Sequence, residues 1–116
     1  MIEKVIIQKI KEINAEFPVF HDFAPPQAKP PLAIISRVGG AGKLFLDQET
    51  AGGYEVRVQI TVWAENRVTA ILISNQIESL LCRLPELTSD GAAVSTHDPE
   101  TDWRGMRQDF LCVEQS

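Results

Sequence analysis

The sequence predicts an α+β domain in which two helices pack on one face of a mainly antiparallel sheet of four to five strands, with a long hairpin loop between the second and third strands. Three observations support this class. Two segments place apolar residues at helical spacing, several others alternate or run apolar as strands do, and the order is helix, strands, helix, strands. A chain of 116 residues, 44% hydrophobic and 23% charged, suits a single domain over residues 1–116.

The first helix is expected over residues 2–14, where apolar residues recur every three to four positions between charged ones. Pro18 ends it. Residues 19–23, VFHDF, indicate a short strand. The following APPQAKPP forces an extended connection, because proline cannot donate a backbone hydrogen bond.

The two clearest strands are expected over 32–38 and 54–64, the second alternating apolar and polar residues as a half-buried strand does. A second helix follows over 66–84, with Asn66 as its N-cap and Pro85 as its stop. Strands over 92–97 and 106–114 complete the sheet, and the turn-forming DPETDWRG lies between them.

The glycines of SRVGGAGKLFL resemble the start of a phosphate-binding loop, but the spacing fails. Counted back from Gly42 and Lys43, Arg37 stands where the first glycine belongs, and Leu44 replaces the hydroxyl residue. We therefore interpret residues 39–53 as a flexible loop that reorients as a unit. Its expected hinges are the flanking glycines Gly39, Gly40, Gly52 and Gly53.

Composition excludes several functional classes. A net charge of −5 disfavours specific nucleic-acid binding, which depends on Lys and Arg neutralising phosphates. No apolar run reaches the length of a membrane span, and the start does not resemble a signal peptide, so we expect a cytoplasmic protein. Cys82 and Cys112 lie in apolar segments and are expected to be buried, reduced thiols.

No set of residues assembles an active site. His97, Asp98, Glu100 and Asp102 form the densest polar cluster, but a single histidine among turn-forming residues favours a solvated hairpin tip over a metal site. We expect no catalytic residue, no cofactor and no metal, and therefore no enzyme.

Apolar residues outside the predicted core indicate a subunit contact, since a soluble chain keeps contiguous exposed apolar surface for a partner. One group lies in the loop, where neighbouring charged residues are expected to set the register of the contact at its rim. The other group lies on the second helix, away from its main apolar stripe. The candidate interface residues are Lys43, Leu44, Phe45, Leu46, Asp47, Glu49, Val68, Ile71 and Leu72.

The order of these motifs resembles the small tail-completion, or head-tail-joining, proteins of long-tailed bacteriophages and prophages, including tail terminators. The likeness rests on Ala24-Pro25 and Pro31-Leu32 before a strand, on ITVWA at 60–64 followed by the helix from Asn66, and on the ending WRGMRQDFLCVE. It spans most of the chain.

The resemblance implies a structural protein that caps the tail tube as a ring, commonly of six copies, and joins tail to head. Its implied partners are further copies of itself, the tail tube protein and the head-completion or connector protein, with a monomer in isolation as one expectation. It implies assembly in the host cytoplasm and a final place at the head–tail junction. Two alternatives stay open from the residues alone: a bacterial homo-oligomeric adaptor unrelated to phage, and a small metal-dependent hydrolase using His97.

Overall fold

The computed structural model of the chain describes residues 2–43 and 53–115. Within these residues the chain forms two helices and six strands, which confirms the predicted α+β class. In chain order the elements are α1 Ile2–Ile13, β1 Val19–His21, β2 Leu32–Lys43, β3 Gly53–Ala64, α2 Arg67–Leu81, β4 Leu87–Ser89, β5 Val94–Asp98 and β6 Trp103–Gln115.

The six described strands form one sheet in the order β1-β2-β3-β6, and both β4 and β5 pair with the far edge of β6. β1 runs parallel to β2, and every other pairing is antiparallel. β3 is central, because it pairs with β2 on one side and with β6 along its whole length on the other, from Gly53 opposite Gln115 to Ala64 opposite Arg104.

The core lies between the sheet and the two helices. Alternate residues of β3 point into it, as the sequence pattern predicts, and they meet the apolar stripes of both helices in one cluster. Because buried residues of α1 and α2 join the same cluster, both helices pack on the same face of the sheet. The central members are Ile6, Ile10, Ile35, Val58, Ile60, Val62, Ile77, Leu81 and Phe110.

α2 begins where the sequence predicts, since the side chain of Asn66 accepts a hydrogen bond from the backbone N–H of Thr69 at 2.8 Å. It ends at Leu81, three residues before the predicted end at Leu84. Residues 82–86 form turns instead, and Leu87 then enters β4. This three-residue strand was not predicted, because it is too short to carry a periodic pattern.

β2 continues to Lys43, five residues beyond its predicted end at Val38. The glycines at 39, 40 and 42 are poor strand formers, but ladder pairing with β3 keeps this stretch extended. The ladder is irregular there: its register shifts on both sides of Gly39, whose φ of 147° favours glycine. β6 likewise begins at Trp103 rather than at 106, because its first residues pair with β5.

Replacing Ile60 with alanine should lower the free energy of unfolding by about 2–5 kcal/mol, since the side chain is 3% exposed in the centre of β3 and its loss leaves a cavity. Val94→Ala, at a residue 53% exposed on β5, serves as the control and should cost less than about 1 kcal/mol. Urea unfolding measures both. Equal costs for the two changes would contradict the assigned core.

Candidate interaction surface

The outer face of α2 is the clearest patch of exposed apolar surface among the described residues. Val68 is 66% exposed and Leu72 is 59% exposed, with Ile71 beside them at 37%. These positions are three and four residues apart, so they lie together on one face of the helix. The three residues predicted to lie outside the core stripe do so, and their role as an interface remains a prediction.

The predicted loop over 39–53 is shorter than the sequence indicated. Gly39, Gly40 and Lys43 belong to β2, and Gly53 is the first residue of β3, so none of them lies in a free connection. The remaining candidates, Leu44, Phe45, Leu46, Asp47, Glu49 and Gly52, lie outside the described residues. The hinge motion and the loop contacts therefore stay predictions.

A groove runs between the two helices on the outside of the molecule. It encloses a cavity of about 350 Å³ whose lining includes Ile10, Phe17, Pro31 and Ile73. Ile13 also lines it and is 45% exposed, although the sequence placed this residue on the core face of the first helix. Ile13 at the end of α1 therefore lies at the edge of the core, and its side chain faces the groove.

A buried carboxylate joins three elements at the start of α1. Glu3 is 3% exposed, and its two oxygens accept hydrogen bonds from Nε and Nη2 of Arg37 on β2, each at 2.8 Å. Nε2 of His21, at the end of β1, lies 4.0 Å from the same carboxylate. The hydrogen bonds from Arg37 hold the pKa of Glu3 below its ordinary value, although burial raises that pKa.

Glu3 was not predicted as a site residue, because a charged residue of an amphipathic helix is expected on its solvated side. A signal was nevertheless available: Glu3 precedes Ile6 by three positions and Ile10 by seven, which places it on the apolar stripe. Arg37, the one charged residue of the strand segment LAIISRV, is its partner. The separation of 34 residues between them hides the pairing from local pattern.

The sheet face opposite the helices carries a polar network. Arg57 pairs with Asp90, and its Nη1 also lies 3.5 Å from Oδ2 of Asp109. The side chain of Gln59 donates a hydrogen bond to the other oxygen of Asp109 at 3.1 Å. The arginine charge on this face is therefore balanced by two carboxylates.

The same face holds an aromatic pair near one end of the sheet. The rings of Trp63 and Trp103 lie 6.4 Å apart between centroids, within the range of favourable aromatic contacts. Gly105 makes this packing possible, because a Cβ at that position would lie 2.8 Å from both the Trp63 ring and the Thr96 methyl group. Both tryptophans are half-buried, so the structure assigns them first to packing.

The polar cluster at the β5–β6 hairpin forms a turn. Asp98 accepts hydrogen bonds from the Glu100 backbone and the Thr101 hydroxyl, as turn-forming aspartates do. Asp102 accepts from Arg104 at 2.7 Å and lies 2.8 Å from Nε2 of His97; these contacts lower its pKa. Among the described residues no group of three His, Cys, Asp or Glu side chains is placed to hold a metal ion.

The expectation that both cysteines are buried is wrong for Cys82. Cys112 is 1% exposed in the core, whereas Cys82 is exposed at the C-terminal end of α2. The physical reason is its position on the helix surface: Cys82 lies about 100° round from the buried stripe of Ala70, Ser74, Ile77 and Leu81. Both thiols are free.

In the part of the chain that the structure describes, no helix is long and apolar enough to cross a membrane. No protein-family profile matches the sequence, and no curated protein matches it. Among solved structures, the fold is similar to that of a chain in the virion of a native gene transfer agent (GTA) particle. The TM-score is 0.61 at 16% sequence identity, over 96% of this chain and 92% of that chain.

Glu3→Gln should lower stability at pH 7 by about 1.5–3 kcal/mol, the usual contribution of hydrogen bonds to a charged group. The gap from the original chain should shrink as the pH falls below about 4.3, because a carboxylate with a depressed folded-state pKa stabilises only above its unfolded pKa and loses that effect on protonation. Urea unfolding from pH 7 to pH 3 measures the gap. A gap that stays constant across this range would contradict the assignment.

Cys82 should react with a thiol reagent in the folded protein at close to the rate of a free peptide thiol, and Cys112 should react only on unfolding. Intact mass after a short exposure should therefore show one label per chain. Cys82→Ser should remove this label, whereas Cys112→Ser should keep it. Two rapid labels would contradict the burial of Cys112, and no rapid label would contradict the exposure of Cys82.

Proposed function

We propose that the chain is a structural protein of a phage-like virion and not an enzyme, and that it works as a subunit of an oligomeric ring that caps the tail tube and joins tail to head. The fold likeness to a chain of a virion particle carries this proposal. Because the likeness covers both chains almost end to end, it concerns a whole domain rather than a shared supersecondary motif.

The outer face of α2 supports assembly with further copies of the chain. Val68 and Leu72 expose apolar side chains that contribute nothing to the core, and such contiguous surface favours a protein contact. Ala70 and Ser74 on the opposite side of the helix are buried against the sheet, which fixes the direction of the exposed face. A rigid helix that presents apolar residues outward suits a subunit interface.

The charge of the chain suits a channel through which DNA passes. A net charge of −5 gives little attraction to phosphate, so a ring of such subunits would not retain the DNA. Arg57 on the uncovered sheet face is neutralised by Asp90 and Asp109, which reduces its attraction for phosphate. The subunit would assemble in the host cytoplasm and remain at the head–tail junction.

Mass in solution, measured with and without tail tubes from the same genome, tests the proposal directly. We expect a monomer or small oligomer alone and a ring, commonly of six copies, at the end of each tube by electron microscopy. Binding to tubes would separate this function from a bacterial adaptor domain with the same fold. A chain that neither forms rings nor binds tubes at any concentration would overturn it.

Leu72→Asp should leave the melting temperature nearly unchanged and abolish ring formation, because the side chain is 59% exposed and the change places a charge in the proposed contact. Thr88→Asp is the matched control: it adds the same charge to an exposed position of β4, outside the proposed contact on α2. Phe45→Asp, assayed for ring formation in the same way, tests the loop contact predicted from the sequence. Rings that form normally with Leu72→Asp would remove the helix face from the interface.

A further inference from the structure

The Glu3 carboxylate lies where the sheet leaves the cover of the helices. Its partner Arg37 forms the last regular pair of the β2–β3 ladder, opposite Val58. Beyond it the register shifts at Gly39, and the two strands continue together to Lys43 opposite Tyr54. We call this outer part of the ladder, residues 38–43 and 53–55, which lies beyond the buried Val56, the β2–β3 extension.

The geometry of the Glu3–Arg37 pair fixes the orientation of the Arg37 side chain relative to α1. Two parallel hydrogen bonds of 2.8 Å hold the planar guanidinium against the carboxylate, so Arg37 cannot rotate without breaking one of them. Glu3 is fixed in turn, because it belongs to the first turn of α1 between Ile2 and Ile6, which are both buried in the core. α1 is therefore hydrogen-bonded to β2 directly before the irregular part of the β2–β3 ladder.

Stability alone gives a weak reason for such a pair. Burying a carboxylate is costly, and the pairing with Arg37, whose side chain is 41% exposed, offsets that cost only in part. An apolar pair would lack a fixed orientation, whereas two directed hydrogen bonds supply one. The Glu3–Arg37 pair is therefore suited to fixing the angle between α1 and β2.

We infer that Glu3 is a positioning residue which, through Arg37, fixes the direction in which the β2–β3 extension leaves the helix-covered part of the sheet. His21 supports the carboxylate from β1, whose last residue ends at this point. The consequence for assembly rests on the proposed function: a neighbouring subunit meets the extension correctly only when its direction is set.

Amide hydrogen exchange at pH 7 tests the inference without any partner. In Glu3→Gln the amides of the extension should exchange about tenfold faster, while those of β3 from 58 to 63 should change by much less. Glu12→Gln is the matched control, because it neutralises the exposed Lys9–Glu12 pair on the same helix. It should leave the extension unchanged. Equal acceleration over the whole sheet, or none, would overturn the inference.

Arg37→Lys separates orientation from charge. Lysine keeps the positive charge but cannot form the two parallel hydrogen bonds, so an orienting role predicts the same selective exchange as Glu3→Gln. Exchange like that of the original chain would show that charge alone matters and would overturn the positioning role. Selective exchange in a chain that never forms rings would uphold this inference and overturn the proposed function, so the two failures are distinguishable.

Discussion

The two-sided pairing of β3 is the constraint on which the rest of the structure depends. Its alternating sequence points Val58 and Ile60 toward the helices and Arg57 and Gln59 to the other face. Because side chains alternate with a period of two, a slip of one residue in either ladder would place charged groups under the helices. The alternation of β3 therefore sets the register of β2 and of β6. It also determines the face of the sheet on which both helices pack.

One face of the sheet therefore packs in the core against both helices, and these helices leave the opposite face uncovered. On the open face the polar side chains are paired with each other, as Gln59 and Arg57 are with Asp109, and the tryptophans pack at one end. Such a face needs no helix to satisfy its polar groups. Exposed apolar side chains lie on the outer side of α2, at Val68 and Leu72, and also on the open sheet face, at Val94 and Val113.

The elements with a strong period were predictable, and those held by distant partners were not. β3 and the start of α2 match the sequence prediction within one residue, since alternation and the Asn66 cap are local signals. β2 beyond Val38 was missed because glycine propensity gave way to ladder pairing, a contact that no local window contains. The Glu3–Arg37 pair was missed for the same reason, and Cys82 was misplaced because apolar neighbours in sequence do not put a residue on the buried stripe of the helix.

The low identity of this fold's virion counterpart has a physical explanation in the same terms. The packing of helices on a sheet, and the register of its strands, require only apolar residues at the right spacing. Many different sequences meet this requirement. The fold consequently carries little information about partners, which must be recognised by surface groups outside the pattern. Among the described residues, one such group is the exposed apolar face of α2 formed by Val68, Ile71 and Leu72. In the proposed ring, a contact through this face would be effective only when the elements around it are held at a fixed angle, as the Glu3–Arg37 pair is inferred to hold them.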